Sequence, residues 1–492
     1  MPGSSRPSGI CAPPARGREP VAEKPRYYSK VAEERLAFDQ AAKLDRLKYT
    51  VEQARQAPIY KDRLDGVTIT SLEDLRSLPL TYKKDLKENP PEVWRAVPLE
   101  KVWHYHESFG TTGSPVVGWY SLDDIECEVD VIQRWLPEFG PGQTIMNRYP
   151  YSFPVPAQLV ETAARLMGGA VVPASNLVYN VGFPRVLELI NKLNVNVLTS
   201  MPLEAVLLKE AALEHGMDPL KDFPTMEAFS FAGRILTPSW QATMEDDWGC
   251  TVHNLYGCTE GGPFATSGDD GHLRLHDEAF LFEILDPETK EPIAVRDDHP
   301  VIGTLVATTL MREAQPMVRY WTDDLVKAWR DEDGNRCIQV LGRAGGLKQF
   351  GGVEVSDFDL EEEILSWSRE FGSNVFFVVI THKGFLVRVE AREPGRVNAG
   401  EGSRRLSDRL GVPVKVEVVP RGVLVNHVSL ITSPQVFKPR TVSDHRVEDR
   451  RVINLSGGLI NFWADFTPAL IARFLLKSVK DWATGVRFKL LE

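Results

Sequence analysis

Cysteine is scarce in this sequence. Five stand in 492 residues, at Cys11, Cys127, Cys250, Cys258 and Cys337, with no C-x-x-C pair and no clustered Cys/His spacing. That excludes a disulfide framework and a zinc site. The apolar run of roughly eighteen residues needed to cross a bilayer is absent, so no integral membrane segment is expected. Positive charge is in deficit: the formal net charge is -11, with no long basic stripe. Nothing is available to displace phosphate counterions, which excludes nucleic acid as a partner and favours a small molecule. The first 25 residues are rich in Pro, Gly, Ser and Ala and lack an apolar signal-like core. They predict a disordered lead on a cytoplasmic protein.

What the sequence does contain is enough apolar material, 43% of residues, to fill more than one core. Residues 30 to 57 carry Ala, Leu, Glu, Lys and Arg at helical spacing, and Ser71-Leu72-Glu73-Asp74-Leu75 predicts a short helix capped by its serine. From Asn147 onward, strand-like runs at 170–172, 195–198 and 228–232 alternate with helical segments at 158–167, 186–193 and 203–215. This rhythm predicts an α/β fold with a parallel sheet, whose ligands sit at the carboxyl ends of the strands.

Three stretches carry chemistry. Ser108-Phe109-Gly110-Thr111-Thr112-Gly113-Ser114-Pro115 puts hydroxyls and flexible backbone in one turn suited to phosphate oxygens. It is not a Walker loop, because Ser114 rather than lysine follows Gly113. After the strand-like run 251–255, Tyr256-Gly257-Cys258-Thr259-Glu260-Gly261-Gly262 offers a ring face for a base and a carboxylate for Mg²⁺. Then Arg319-Tyr320-Trp321-Thr322-Asp323-Asp324 ends another strand with two acids, either of which suits ribose hydroxyls, and Gly342-Arg343-Ala344-Gly345-Gly346 has the composition of a hinge.

Taken in order with Leu72–Leu75, Leu78–Lys83, Asn147–Phe153, Phe282–Thr289 and Gly303–Leu310, these segments resemble the adenylate-forming (acyl-CoA synthetase) superfamily, in its phenylacetate-CoA ligase branch. The resemblance covers roughly residues 30 to 445. It implies a large N-terminal adenylation domain of layered sheets and helices (26–343), a small mobile α+β lid domain (344–451), and an extra helical tail (452–492). In that tail, Thr467-Pro468 opens a helix whose apolar face is Ile471, Leu475, Val479 and Trp482, suited to docking on the protein itself or on a homodimer mate, with a membrane surface as the alternative.

The implied reaction has two steps. An aromatic carboxylic acid attacks the α-phosphate of ATP, and the thiol of coenzyme A then displaces AMP; a carrier-protein phosphopantetheine is the alternative acceptor, and a non-catalytic nucleotide-binding protein the alternative class. By resemblance, Ser108, Gly110, Thr111, Thr112 and Gly113 hold the phosphates, while Glu260 and Thr111 ligate Mg²⁺. Tyr256, Gly257, Thr259, Ala232 and Gly233 surround the nucleotide, Asp324 binds ribose, and Arg343 reaches ribose or phosphate. Lys438, with Arg440 as fallback, is the catalytic lysine brought by the lid. Tyr149, Tyr151 and Phe153 are expected to line an aryl pocket, and Arg148 and Arg234 either meet a second polar group of the substrate or are surface cations. Phe109 replaces the small hydroxyl residue usual in the loop, Ser114 stands where lysine is common, and Gly345 occupies a hinge position where Asp or Lys is common.

Overall fold

A computed structural model describes residues 43–425 and 441–446, apart from 109–114, 134–138, 177, 179, 180, 269, 297, 298 and 311. The described chain opens with helix α1 (Lys43–Ala54), which buries Leu47, Thr50, Val51 and Ala54, the i, i+3, i+4, i+7 stripe of an amphipathic helix. The segment around Ser71 is a 3₁₀ turn (Glu73–Ser77) rather than a serine-capped helix. Here Asp74 competes successfully for the free donors, its carboxylate accepting from the amides of Thr70 and Ser71 at 2.7 and 2.8 Å. Short strand β1 (Thr81–Tyr82) follows, then the antiparallel pair β2 (His104–Glu107) and β3 (Val117–Tyr120), and helix α2 (Leu122–Gln133).

The predicted alternation is present: β4 (Thr144–Asn147), α3 (Pro156–Met167), β5 (Ala170–Pro173), α4 (Phe183–Lys192), β6 (Val197–Ser200), α5 (Pro202–Glu214), β7 (Ala228–Ala232), α6 (Pro238–Trp248) and β8 (Thr251–Cys258). Proline lies in the first two positions of α3, α4, α5 and α6, where its missing N–H costs nothing. The five strands pair in parallel in the order β5-β4-β6-β7-β8.

Beyond β8 the sheet is antiparallel. It continues through β9 (Gly262–Ser267), β10 (Leu273–Leu275), β11 (Phe280–Leu285), β12 (Val301–Thr309), β13 (Tyr320–Arg330) and β14 (Arg336–Arg343), giving twelve strands with β1 alongside β13. The fold class is therefore α/β as expected, but its sheet is mixed rather than parallel throughout.

The C-terminal part begins with the hairpin β15 (Lys348–Phe350) and β16 (Val353–Val355). Helix α7 (Asp357–Leu365) follows, capped by Ser356, whose Oγ accepts the amide of Asp359 at 3.0 Å. Strands β17 (Phe376–Thr381), β18 (Gly384–Ala391), β19 (Val414–Pro420) and β20 (Val442–Asp444) form a sheet in the order β19-β18-β17-β20, backed by α8 (Ala399–Leu410). One apolar cluster runs from Phe229 of β7 and Trp240 and Met244 of α6 into Leu360, Ile364 and Phe377 of this smaller part. Each fully buried side chain of this kind contributes about 1.5–3 kcal/mol. Among the described residues no helix is long and apolar enough to cross a membrane.

Candidate active site

A cavity of about 690 Å³ lies at the carboxyl ends of the parallel strands. Its wall takes Tyr149 from beyond β4, Met201 from beyond β6, Ala232, Gly233 and Arg234 at the end of β7, and residues 254 to 260 from β8 and its turn. Strand β8 runs on through Cys258, so Tyr256 and Gly257 lie on the strand and only Thr259, Glu260 and Gly261 turn. This corrects the expectation of a turn starting at Tyr256. Antiparallel pairing with β9, through Tyr256↔Ala265 and Gly257↔Pro263, extends the strand.

Glycine is required at Gly257, where a Cβ would come within 2.2 Å of the Gly262 carbonyl oxygen. Gly257→Ala should therefore cost about 1–3 kcal/mol through forced backbone displacement. Urea unfolding would read this as a lowered midpoint, and an unchanged midpoint would contradict the close approach.

Three strands, β8, β13 and β14, converge on one wall of the cavity. The Tyr256 hydroxyl donates to Asp324 Oδ2 at 2.6 Å, and Arg343 Nη1 lies 3.1 Å from Asp324 Oδ1. Asp324 and Arg343 face each other in the β13–β14 register, and Arg343 also donates to the Thr322 carbonyl at 2.9 Å. The two acids sit near the start of β13, not at a strand end, and Asp323 adopts φ +64°. Burial holds the Asp324 carboxyl above its ordinary pKa, with Arg343 pulling the other way. A second polar group went unnoticed in the sequence: Asn254, in the middle of β8, lines the cavity, and its Oδ1 is buried without a partner. Such an acceptor fits the exocyclic amine of a purine.

Glu260 is 1% exposed. Its Oε1 accepts the Tyr320 hydroxyl and lies 3.9 Å from Nζ of Lys83, another cavity residue whose role was not singled out in the sequence. The turn that presents Glu260 is pinned twice. Arg312 Nη1 donates to the Glu260 carbonyl at 2.6 Å with its guanidinium 4.0 Å from the Tyr120 ring centroid, and the Tyr120 hydroxyl donates to the Thr259 carbonyl at 2.7 Å. No cluster of three metal-ligating side chains occurs among the described residues. A single carboxylate beside a polyphosphate is nevertheless how Mg²⁺ is commonly held, so Glu260 fits that ion.

Ser108 lines the cavity and closes the base of its loop: its amide donates to the Val116 carbonyl at 2.8 Å, and its Oγ accepts the Val116 amide at 2.9 Å. Phe109, Gly110, Thr111, Thr112, Gly113 and Ser114 lie outside the described residues, as do Lys438, Arg440 and the 452–492 tail.

Of the three residues expected to line an aryl pocket, one borders the cavity. Tyr149 is buried, donates to the Ser200 carbonyl at 2.7 Å, and lines the cavity with Pro154, Val155, Leu159, Met201 and Leu236. Tyr151 and Phe153 do not line it, and are 37% and 59% exposed. The Phe153 carbonyl accepts from the Glu107 amide at 3.1 Å and contacts His106 Nδ1 at 2.8 Å, an anchor on β2 that leaves its ring outside. Burial pushes His106 down to about 4. Leu159, Met201 and Leu236 were missed because they come from three separate elements, and no local motif marks them.

Arg148 is neither a substrate contact nor a surface cation. It is 1% exposed, with Nε 2.5 Å from Glu204 Oε1 and Nη1 donating to the carbonyls of Ala174 and Val181 at 2.6 and 2.9 Å. It ties the end of β4 to α5 and to the segment between β5 and α4.

A family model described as AMP-binding enzyme matches residues 110–309. The phenylacetate-coenzyme A ligase of Aromatoleum evansii is 30% identical over 339 residues, which cover 66% of this chain and 74% of that protein. The chain belongs to the phenylacetate-coenzyme A ligase family. Its Thermus thermophilus relative of the same name is 28% identical over 429 residues, 79% of this chain and 93% of that one. A crystal structure of 2-hydroxyisobutyryl-CoA ligase with its acyl-AMP shares the fold, with a TM-score of 0.74 at 21% identity, covering 89% of this chain and 95% of that chain.

Proposed function

We propose that this family member joins an aromatic carboxylic acid to coenzyme A at the expense of ATP. The observation that carries the reading is the convergence of Tyr256, Asp324 and Arg343 on one cavity wall, beside the partnerless Asn254 and the buried Glu260. Asn254, Ala232, Gly233, Gly257 and the Tyr256 ring receive the base. Asp324 exchanges its present donors, Tyr256 and Arg343, for ribose hydroxyls. Ser108, Gly110, Thr111, Thr112, Gly113 and Thr259 surround the phosphates. Glu260 with Thr111 would hold Mg²⁺, whose charge, when bound, offsets that of the phosphates.

In the first half-reaction the acid's carboxylate attacks the α-phosphorus, the bond to the bridging oxygen breaks, and pyrophosphate leaves. Lys438 draws the two anions together and steadies the charge on phosphorus. In the second, the thiol of coenzyme A loses its proton, attacks the acyl carbonyl and expels AMP. Segment 344–451 acts as the lid that keeps water from the adenylate between the steps. Tyr149, Leu159, Met201 and Leu236 give the acid an apolar lining with one aromatic ring, which suits an aryl group.

ATP–pyrophosphate exchange across a panel of aromatic and aliphatic acids tests this. Exchange with aryl acids is the expected result, and none with any acid sinks the enzyme reading. Product formation with coenzyme A should exceed that with a holo carrier protein, the competing acceptor. Asp324→Asn should raise the KM for ATP roughly 10- to 100-fold, the equivalent of losing charge-assisted hydrogen bonds to ribose. Steady-state kinetics in ATP check it; a KM within twofold of wild type would remove Asp324 from the ribose site.

A further inference from the structure

Arg234 stands on the turn after β7, where Gly233 takes φ +83°. It lines the cavity, and its guanidinium lies 5.1 Å from the Trp240 ring centroid. From there it reaches the C-terminal part twice: Nη2 donates to Glu361 Oε1 on α7 at 2.6 Å, and to the hydroxyl of Thr441 just ahead of β20. One cavity-wall side chain thus holds two separate elements of the smaller sheet's unit.

The pair is buried, with side chains 15% and 7% exposed. Of the other ion pairs across the same boundary, Arg369 with Asp246 is open at 74% and 57%, while Arg421 with Glu210 is nearly as enclosed at 24% and 5% but does not line the cavity. Arg234 Nε and Glu361 Oε2 are both buried without partners, so the pair meets through one hydrogen bond rather than two. A buried pair is costly to break because each charge is left uncompensated. The stacking on Trp240 fixes where the guanidinium points, so Glu361 and Thr441 must come to it together. In the same arrangement Asp357 and Phe358 of α7 border the cavity.

We infer that Arg234 is a positioning residue that latches the C-terminal lid over the nucleotide cavity, so that its pair with Glu361 sets the balance between adenylation and thioester formation. The inference rests on the ligase reading above. A latch of this kind acts on the lid's population, not on the bond-making atoms. Loss of either partner therefore changes the ratio of the two half-reactions, whereas a merely structural role would lower both together.

The test compares Arg234→Gln, Glu361→Gln, the double variant, and the milder Thr441→Val. ATP–pyrophosphate exchange is measured beside thioester formation from supplied acyl-adenylate. Each single variant at Arg234 or Glu361 should lower the exchange-to-thioester ratio at least about tenfold, as expected for one charge-assisted hydrogen bond. Thr441→Val should shift it in the same direction by less. The double variant should be no worse than the worse single, since both remove one interaction. An unchanged ratio, or additive losses in the double variant, overturns the latch. Limited proteolysis across residues 344–347 gives a readout independent of turnover. Faster cleavage in the variants supports the latch even if no acid supports exchange in the wild type, in which case the ligase reading alone fails; equal cleavage overturns it.

Discussion

Glu260→Gln should cut ATP–pyrophosphate exchange by about 10²- to 10³-fold, the scale of losing one preorganised electrostatic partner of the transition state. The amide keeps the shape of the side chain but removes the charge that would hold Mg²⁺ and that faces Lys83 at 3.9 Å. The surroundings argue for a specific loss. Glu260 is 1% exposed and sits on a turn pinned through backbone carbonyls by Arg312 and Tyr120, anchors that do not depend on its carboxylate charge, and the oxygen of an amide can still accept the Tyr320 hydroxyl. The variant should therefore need more Mg²⁺ for half-maximal exchange while unfolding near the wild-type midpoint. Exchange within tenfold of wild type at ordinary Mg²⁺ would strike Glu260 from the site.

Lys438→Ala should lower adenylation by about 10³-fold, for the same electrostatic reason, and spare thioester formation from supplied acyl-adenylate. The lysine's task ends once pyrophosphate has left, because the second step needs only a thiol with access to the acyl carbonyl. Single-turnover assays of each half-reaction separate the two. Equal loss in both would make Lys438 a folding residue and return the choice to Arg440. Measured beside the Arg234 variants, this substitution also tells a missing chemical group from a displaced lid, since only the latter should quicken proteolysis at 344–347.

The parallel half of the large sheet was readable because the strand-like runs at 170–172, 195–198 and 228–232 alternate with segments of helical spacing, so the change of period marks each element. The run 228–232 has the same limits in sequence and structure. The antiparallel half was not read as a sheet, although β8–β9, β9–β10, β11–β12, β12–β13 and β13–β14 each join sequence neighbours and β10–β14 is the distant pairing, because mixed polarity where these strands line the cavity blurs their alternation. That is also why Tyr256 looked like part of a turn: only its pairing with Ala265 shows that the strand continues. Motif order placed Tyr256, Glu260, Asp324 and Arg343 in one site, but the hydrogen bond from Tyr256 to Asp324, 68 residues away, is a product of packing. Tyr151 and Phe153 failed as pocket residues for a related reason. Composition favours aromatic rings near an aryl substrate, whereas the backbone anchor of Phe153 on β2 decides which way the ring faces.

On the lid reading proposed above, the apolar cluster shared by Trp240 and Met244 on one side and Leu360 and Ile364 on the other would give the lid a thermal character. Turning the lid outward uncovers part of that surface, and hydration of apolar surface carries a positive heat capacity. Its attraction fades on cooling, while the Arg234–Glu361 contact carries no such signature. The closed arrangement is thus gripped by two forces that answer differently to temperature, and the share of lids standing open should follow a curved, not straight, van't Hoff line.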